Sequence, residues 1–584
     1  MTEHKSLRSF DVLYTHAASD LSKPTPLLSS FEVPPLLKTS PILLNVLYFC
    51  WSCTNITKMV RALTVPALGL LALLCLFSSE PVQAGKVLVM PVDGSHWLSM
   101  KILVEELSQR GHEMVVLVPE TSILIGKSGN YTTKSFRVPY TLAELNAILD
   151  HIRKNALEKP PQLTDIIVNL GTLMQFTDMQ VKACEGLLYD KSLMKSLRET
   201  GFDVLLTDPF LPCGTIIADS FSLPAVYFLH GLPCRLDEAA AQCPSPPSFV
   251  PRFFTGFSDK MTFPQRVRNM LMTVFEKYVC HKLFASFGEL ASRYLQKDTT
   301  YKELLSHGAV WLLRYDFTFE YPKPQMPNMV QIGGINCAKK GPLTKELEEF
   351  VNGSGEHGFV VFTLGSMVSQ LPEAKARELF EAFRQIPQRV LWRHTGPVPE
   401  NAPKNVKLMK WLPQNDLLGH PKVKAFITHG GSHGIYEGIC NGVPMVMLPL
   451  FGDQGDNVQR LVSRGVAEAL SIHDLTAEKL LVALRKVIND KSYKEKITEL
   501  SAIHRDRPIE PLDLAVFWTE FVMRHKGAAH LRPAAHELNW IQYHSLDVIG
   551  FLLLILVTVI FVTVKSCMFC FRKCFKKTQK KKKE

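Results

Sequence analysis

The sequence predicts two α/β domains in tandem, each a Rossmann-like parallel sheet wrapped by helices, with a ligand cleft between them and a transmembrane helix behind the second. Three observations carry this. Short apolar runs alternate with helical stretches; the pattern starts afresh after about residue 342; and residues 548–564 hold no charge and are followed by a cluster of lysines.

In chain order, residues 1–58 are dotted with prolines, carry an apolar patch from Pro41 to Cys53 and precede a better start at Met59. They are expected to be an extension outside the fold. From Met59, a basic Arg61, an apolar run from Ala62 to Phe77 and the small-residue site Val82-Gln83-Ala84 have the anatomy of a cleaved secretory signal, residues 59–84. "KVLVMPVDGSHWLSMKILVEELSQRGHEMVVLVP" then reads as a strand at 86–92, a helix at 97–110 and a strand at 114–118, the βαβ unit that opens a parallel sheet. Further strands are expected at Val204–Thr207, Ala225–Phe228 and Val310–Leu313.

After a Gly-, Pro- and Lys-containing stretch at Gly333–Pro342 the second domain begins. "FVVFTLGS" is a strand, "EAKARELFEAFRQI" an amphipathic helix and "RVLWR" a strand, and the alternation runs on to about residue 470. Gly353, Gly355 and Gly358 match G-x-G-x-x-G, but they precede a strand, whereas a dinucleotide fingerprint follows one. A nicotinamide-dependent enzyme is therefore not expected.

The formal charge of +11 is concentrated at the end: nine basic groups from Lys565 to Lys583 against Glu584 supply +8, which leaves +3 for everything else. No nucleic-acid surface is implied for the folded body. By the positive-inside rule the basic tail is cytosolic and the body lies across the membrane from it. Of the 13 cysteines, seven fall in the body: Cys184, Cys213, Cys234, Cys243, Cys280, Cys337 and Cys440. None of these seven makes a C-x-x-C pair, so neither zinc nor a redox motif is indicated. Large domains need no staples, and buried thiols with at most a pair or two bonded are expected. Asn130 and Asn352 begin sequons and are glycosylation candidates. "FPQRVRNMLMTVFEKYVCHKLF" is a basic amphipathic pattern that suits either a membrane surface or packing on the sheet.

The densest chemistry lies in "AFITHGGSHGIYEGICNGVPMVMLPLFGDQGDN", residues 425–457. A short apolar strand stops at His429. Gly430 and Gly431 let the backbone turn tightly, so the amides opening the next helix can approach an anion, most often a phosphate.

The span from Trp411 to Gln454 resembles the signature of the UDP-dependent glycosyltransferases. "GSHW", "LLTDPFLPC", "GGINC" and the anchor with its basic tail resemble the animal UDP-glucuronosyltransferases, closest to the phenol- and bilirubin-conjugating subfamily, over residues 59–584. The resemblance implies the GT-B arrangement: an acceptor-binding domain at 85–335, a UDP-sugar-binding domain at 345–525, a transmembrane helix at 546–565 and a basic cytosolic tail at 566–584. It also implies residue roles. Trp411, expected to end a strand just before Pro413, offers a flat face for uracil, Gln414 an amide for the uracil edge and Glu437 a carboxylate for the ribose hydroxyls. His429, the helix amides near Gly434, Ser366 and Arg314 fall to the diphosphate. Asp453 and Gln454, expected at the end of the next strand, fall to sugar hydroxyls. His433 stands where many relatives carry asparagine.

In the first domain His96 is expected in the loop after the first strand and Asp208 at the end of another. A histidine with a carboxylate partner is the general-base arrangement. The chain contains no D-x-D, the pair with which single-sheet glycosyltransferases hold a metal on the diphosphate. No metal and no cofactor are expected beyond UDP-glucuronate as co-substrate. The activity implied is transfer of glucuronate to small lipophilic phenols or alcohols with inversion. The alternatives are a UDP-glucose or UDP-xylose transferase, or an inactive subunit that oligomerises with relatives. The location implied is the endoplasmic reticulum membrane, single-pass type I with a lumenal body, with homo- or hetero-oligomers as partners. Lys581 and Lys582 resemble a dilysine retrieval signal.

Overall fold

The computed structural model describes residues 84–581 apart from 127–128, 159–162, 338–339, 369 and 399–401. The expected N-terminal extension and all but the last residue of the expected signal segment lie outside the described residues. Residues 83–584 form one compact unit.

The first sheet holds β1 (Lys86–Met90), β2 (Glu113–Pro119), β3 (Thr132–Phe136), β4 (Val204–Thr207), β5 (Ala225–Leu229), β6 (Gly308–Leu313) and β7 (Met329–Gln331). All its strands run parallel, in the order β3-β2-β1-β4-β5-β6-β7. Both faces are covered along the inner strands, which is why β1, β4 and β5 read as unbroken apolar runs, whereas the edge strand β3 (TTKSF) is polar and was not expected. In β1, Val87 and Val89 enter one core and Leu88 the opposite one, all fully buried. The order reverses between β1 and β4, and a crevice opens at the carboxyl ends of strands at such a point.

The second sheet holds β8 (Phe359–Thr363), β9 (Arg389–Arg393), β10 (Val406–Met409), β11 (Val423–Thr428), β12 (Met445–Met447) and β13 (Ala467–Ala469), again all parallel, ordered β10-β9-β8-β11-β12-β13. Its switch point lies between β8 and β11. Gly355 (φ 58°) and Gly358 (φ 69°) precede β8 in left-handed backbone, as a loop rather than a fingerprint.

Several expectations need correction. β1 ends at Met90, and helix α1 (Ser95–Gln109) starts early enough to take His96 into its first turn. β10 ends at Met409, so Trp411 lies two residues beyond it. β12 ends at Met447; Asp453 instead caps, and Gln454 opens, the following helix. A helix at Pro511–His525 returns to the first domain: Leu512, Ala515, Val516, Val522 and Met523 join the core that contains Val87 and Val89. The expected boundary at 525 had placed this segment with the second domain.

Three disulfides, not one or two, tie the body: Cys184–Cys213, Cys234–Cys280 and Cys337–Cys440, with Cys243 the free buried thiol among its described residues. Their separations of 29, 46 and 103 residues carry no spacing signature. Chain entropy puts the stabilisation from closing loops of this size at roughly 3 to 5 kcal/mol each. Among the described residues the one cluster with metal-ligand spacing is Cys337, Cys440 and His504, and its two sulfurs are bonded to each other.

The basic amphipathic stretch forms the start of a 33-residue helix, Phe263–Leu295. Its C-terminal half packs through Cys280, Leu283, Phe284, Phe287, Leu290 and Ala291, while Phe263, Leu271 and Val274 are exposed. Near the C-terminus the helix Leu546–Lys581 runs beyond the expected 565; its stretch Leu546–Phe575 is apolar and long enough to cross a membrane, and none of its most apolar window is buried.

Candidate functional site

A cleft of about 730 Å³ opens where the carboxyl ends of the two sheets meet. His96, Arg314, Ser366, Trp411, Gln414, His429, Gly434, Glu437, Asp453 and Gln454 all line it. Asp208 lies behind His96. Asn130 and Asn352 are exposed and away from it.

His96 enters from the first turn of α1, which Gly94 opens with φ 84°. Its Nδ1 is 2.6 Å from Oδ2 of Asp208, the residue after β4. Asp208 is almost wholly buried, and its other oxygen accepts from the Phe210 amide at 3.0 Å. With Nδ1 turned to the carboxylate, Nε2 is the ring atom left to accept a proton from the cleft. The Phe210 ring, 5.7 Å from the imidazole, supplies an apolar wall.

Arg314, just after β6, is buried; its Nη1 lies 3.2 Å from Ser99 Oγ and 3.3 Å from Ser432 Oγ, one on each domain, and its Nε has no partner among the described residues. Burial lowers its pKa, opposed by Asp208 and Asp453, yet a guanidinium stays charged at neutral pH. A buried cation held by hydroxyls calls for an anion. The hydroxyl of Ser366, on the turn after β8, is likewise buried and unpartnered among the described residues. Gly430 (φ 88°) makes the turn out of β11, and a Cβ on Gly431 would stand 2.5 Å from the His429 ring. The helix α2 (Ser432–Cys440) therefore begins directly on the cleft. Burial, with His433 adding to it and Asp453 opposing, pushes the His429 imidazole down to about 4. It offers a hydrogen bond at neutral pH, not a charge.

Glu437 is buried on α2. One carboxylate oxygen accepts from the Gln414 amide, and the other lies 3.3 Å from His433 Nε2. His433 Nδ1 reaches Ser99 of the first domain at 2.8 Å, so this ring bridges the domains. Trp411 is half exposed, with the Arg393 guanidinium 5.3 Å from its ring centre. Gln454 accepts from the Leu450 and Phe451 amides at 2.8 and 3.2 Å, which leaves its NH2 for a ligand.

Asp453 has a partner that sequence reading missed. His230, directly after β5, places Nδ1 3.3 Å from Asp453 Oδ2 and Nε2 3.5 Å from Glu320, which pairs with Arg460 at 3.1 Å. Burial works to raise the Asp453 carboxyl, but His230, Asn457 and Arg460 outweigh it and hold it well below the usual carboxylate range. The position of His230 at a strand's carboxyl end is the signal that singled out Asp208, and it was available in "AVYFLHG". Ser99, Phe253 and Phe254 also reach the site without any local motif.

Two parallel-sheet domains that face each other across such a cleft have the GT-B fold of two-domain glycosyltransferases. Solved structures agree on the fold: a spinosyn forosaminyltransferase, SpnP, matches with TM-score 0.52 and 16% identity, over 75% of this chain and 99% of its own. CalG4, the calicheamicin glycosyltransferase, matches with TM-score 0.51 and 17% identity over 76% and 99%. The chain belongs to the family described as UDP-glucoronosyl and UDP-glucosyl transferase, whose model matches residues 85–582. It is 55% identical to the UDP-glucuronosyltransferase 1A1 of Rattus norvegicus over 86% of this chain and 94% of that protein. To the 1A1 protein of Homo sapiens it is 54% identical over 88% and 96%, and to a UDP-glucuronosyltransferase of Pleuronectes platessa 55% over 80% and 100%.

Proposed function

We propose that this cleft transfers glucuronate from UDP-glucuronate to the hydroxyl of a small lipophilic acceptor. His96 Nε2 takes the hydroxyl proton, the acceptor oxygen bonds to the anomeric carbon, and the bond from that carbon to the diphosphate breaks with its electron pair going to UDP. Attack from the face opposite UDP turns an α-linked donor into a β-linked product. Asp208 holds the ring in place and offsets the charge it acquires. The observation that carries this reading is the 2.6 Å His96–Asp208 pair opening on the same cleft as the buried cation Arg314 and the start of α2.

In this reading Trp411 and Gln414 bind uracil, Glu437 the ribose, and Arg314, Ser366, His429 and the amides near Gly434 the diphosphate. Asp453 and Gln454 bind the sugar. The leaving charge is met by a buried guanidinium and backbone amides rather than a metal, so excess EDTA is expected to leave activity intact; complete loss restored only by Mg²⁺ or Mn²⁺ would contradict it. Three disulfides and the exposed sequon asparagines Asn130 and Asn352 support a lumenal body in the endoplasmic reticulum, anchored by the helix that begins at Leu546. The test is a donor panel of UDP-glucuronate, UDP-glucose and UDP-xylose with one phenol in permeabilised microsomes. Preferred use of UDP-glucuronate supports the reading; preference for another sugar refutes the donor, and no transfer at all refutes the activity.

A further inference from the structure

The segment Pro251–Phe257 reaches the cleft from the first domain and is fastened at both ends. At its base, the Arg252 amide donates to Asn269 Oδ1 at 2.7 Å, and the Asn269 amide donates in turn to the carbonyls of Pro247 and Val250 at 2.7 and 3.0 Å. The Arg252 side chain bonds Thr273 and Ser245. The Phe253 amide donates to Glu276 at 2.8 Å. At its tip, the amides of Phe254 and Gly256 donate to the two oxygens of Asp456, at 2.8 and 3.0 Å. Asp456 belongs to the second domain and sits in the first turn of the helix that Asp453 caps.

Phe254 is held in the left-handed region, φ 61°, where a side chain with a Cβ is strained and persists only when its surroundings impose it. Its ring is nonetheless 69% exposed. A large apolar ring kept out of the core by strained backbone and a cross-domain latch contributes little to folding. Phe253 and Phe254, with ring centres 6.3 Å apart, line the cleft together with Phe210, Phe451 and His96. The nucleotide contacts proposed above use none of these phenylalanines.

Resting on the transferase reading, we propose that Phe254 is a specificity-determining residue for the acceptor: its ring, held at the cleft by the Asp456 latch, selects flat aromatic acceptors by stacking or edge contact. Because Asp456 belongs to the donor domain, the acceptor wall is complete only when the two domains are docked.

The test uses the full-length protein in microsomes, with 1-naphthol and its saturated counterpart decahydro-1-naphthol as acceptors. Phe254→Ala should raise the KM for 1-naphthol roughly three- to tenfold, the range that aromatic contacts support. Decahydro-1-naphthol should move by less than half as much. Phe254→Leu keeps the bulk and should show the same split between acceptors. Asp456→Ala should reproduce the Phe254→Ala change, and the double variant should be no worse than either alone, since both act through one ring. The KM for UDP-glucuronate and inhibition by UDP should stay within twofold throughout. An unchanged naphthol KM in Phe254→Ala, additive losses in the double variant, or a raised donor KM in Asp456→Ala would each overturn the inference. Failure of the wild-type protein to glucuronidate either acceptor would instead sink the transferase reading itself.

Discussion

Glu437 and Asp453 are both carboxylates on the second domain, and their surroundings give them different tasks. Glu437 is buried on α2, bonded to Gln414 and near His433; Asp453 stands at the N-cap position of a helix and pairs with His230 of the other domain. If Glu437 holds the ribose, Glu437→Ala should weaken UDP and every UDP-sugar alike. Losing a charge-assisted bond costs about 1.5 to 3 kcal/mol, or roughly ten- to a hundredfold in affinity. Asp453→Ala should spare UDP and weaken only the intact donor. Titration of both variants with UDP and UDP-glucuronate checks this; equal weakening of UDP by both would contradict the division. Most of these residues could be located from sequence because the stretch Trp411–Gln454 resembles a known signature, while local pattern alone set the strand ends before His96, Trp411 and Asp453 too late. His433 and His230 were the difficult cases: their partners, Ser99 and Asp453, lie hundreds of residues away, so only the folded chain shows what the rings touch.

At the scale of elements, the segment Pro251–Phe257 and the long helix Phe263–Leu295 meet at Glu276. Burial raises this carboxyl to about 7, against the opposing pull of Arg252, Arg235 and the Phe253 amide, with Asp456 adding to the rise. The folded state therefore holds its proton more tightly than the unfolded chain. Below the ordinary glutamate value of 4.5 both states are protonated. As pH rises from there through about 7 the unfolded chain ionises first, and stability is lost, by an amount of order 1 to 3 kcal/mol. Glu276→Gln keeps the acceptor for Phe253 and should raise the melting temperature at pH 8 much more than at pH 5. An equal rise at both would contradict it. The inner sheet strands were legible because apolar runs with turn signals define them, while the edge strands β3 and β7, one polar and the other three residues long, were not. The destination of Pro511–His525 was not, because an amphipathic helix reads the same whichever sheet it covers.

For the whole molecule, length and composition indicate two domains and an anchor, and the helix that carries the expected anchor continues through the basic segment to Lys581. Protease added to intact microsomes should trim only the part beyond about residue 565, where the basic groups begin, on the ground that basic tails stay cytosolic. Cleavage of the body without detergent would overturn the lumenal orientation. The disulfides were under-read because size alone was the guide, and a large core does not exclude staples. The cleft depends on both domains at once, since Arg314 bonds Ser99 and Ser432 together and His433 joins Ser99 to Glu437.

The central claim is that His96, set by Asp208, is the base of the reaction. The measurement that bears on it most directly is turnover of a phenol by His96→Ala near neutral pH, alongside UDP affinity of the same variant. Loss of a general base removes about 10² to 10⁴ in rate, so kcat should fall by at least a hundredfold while UDP binds within about twofold of wild type. Wild-type turnover with His96 removed would contradict the account.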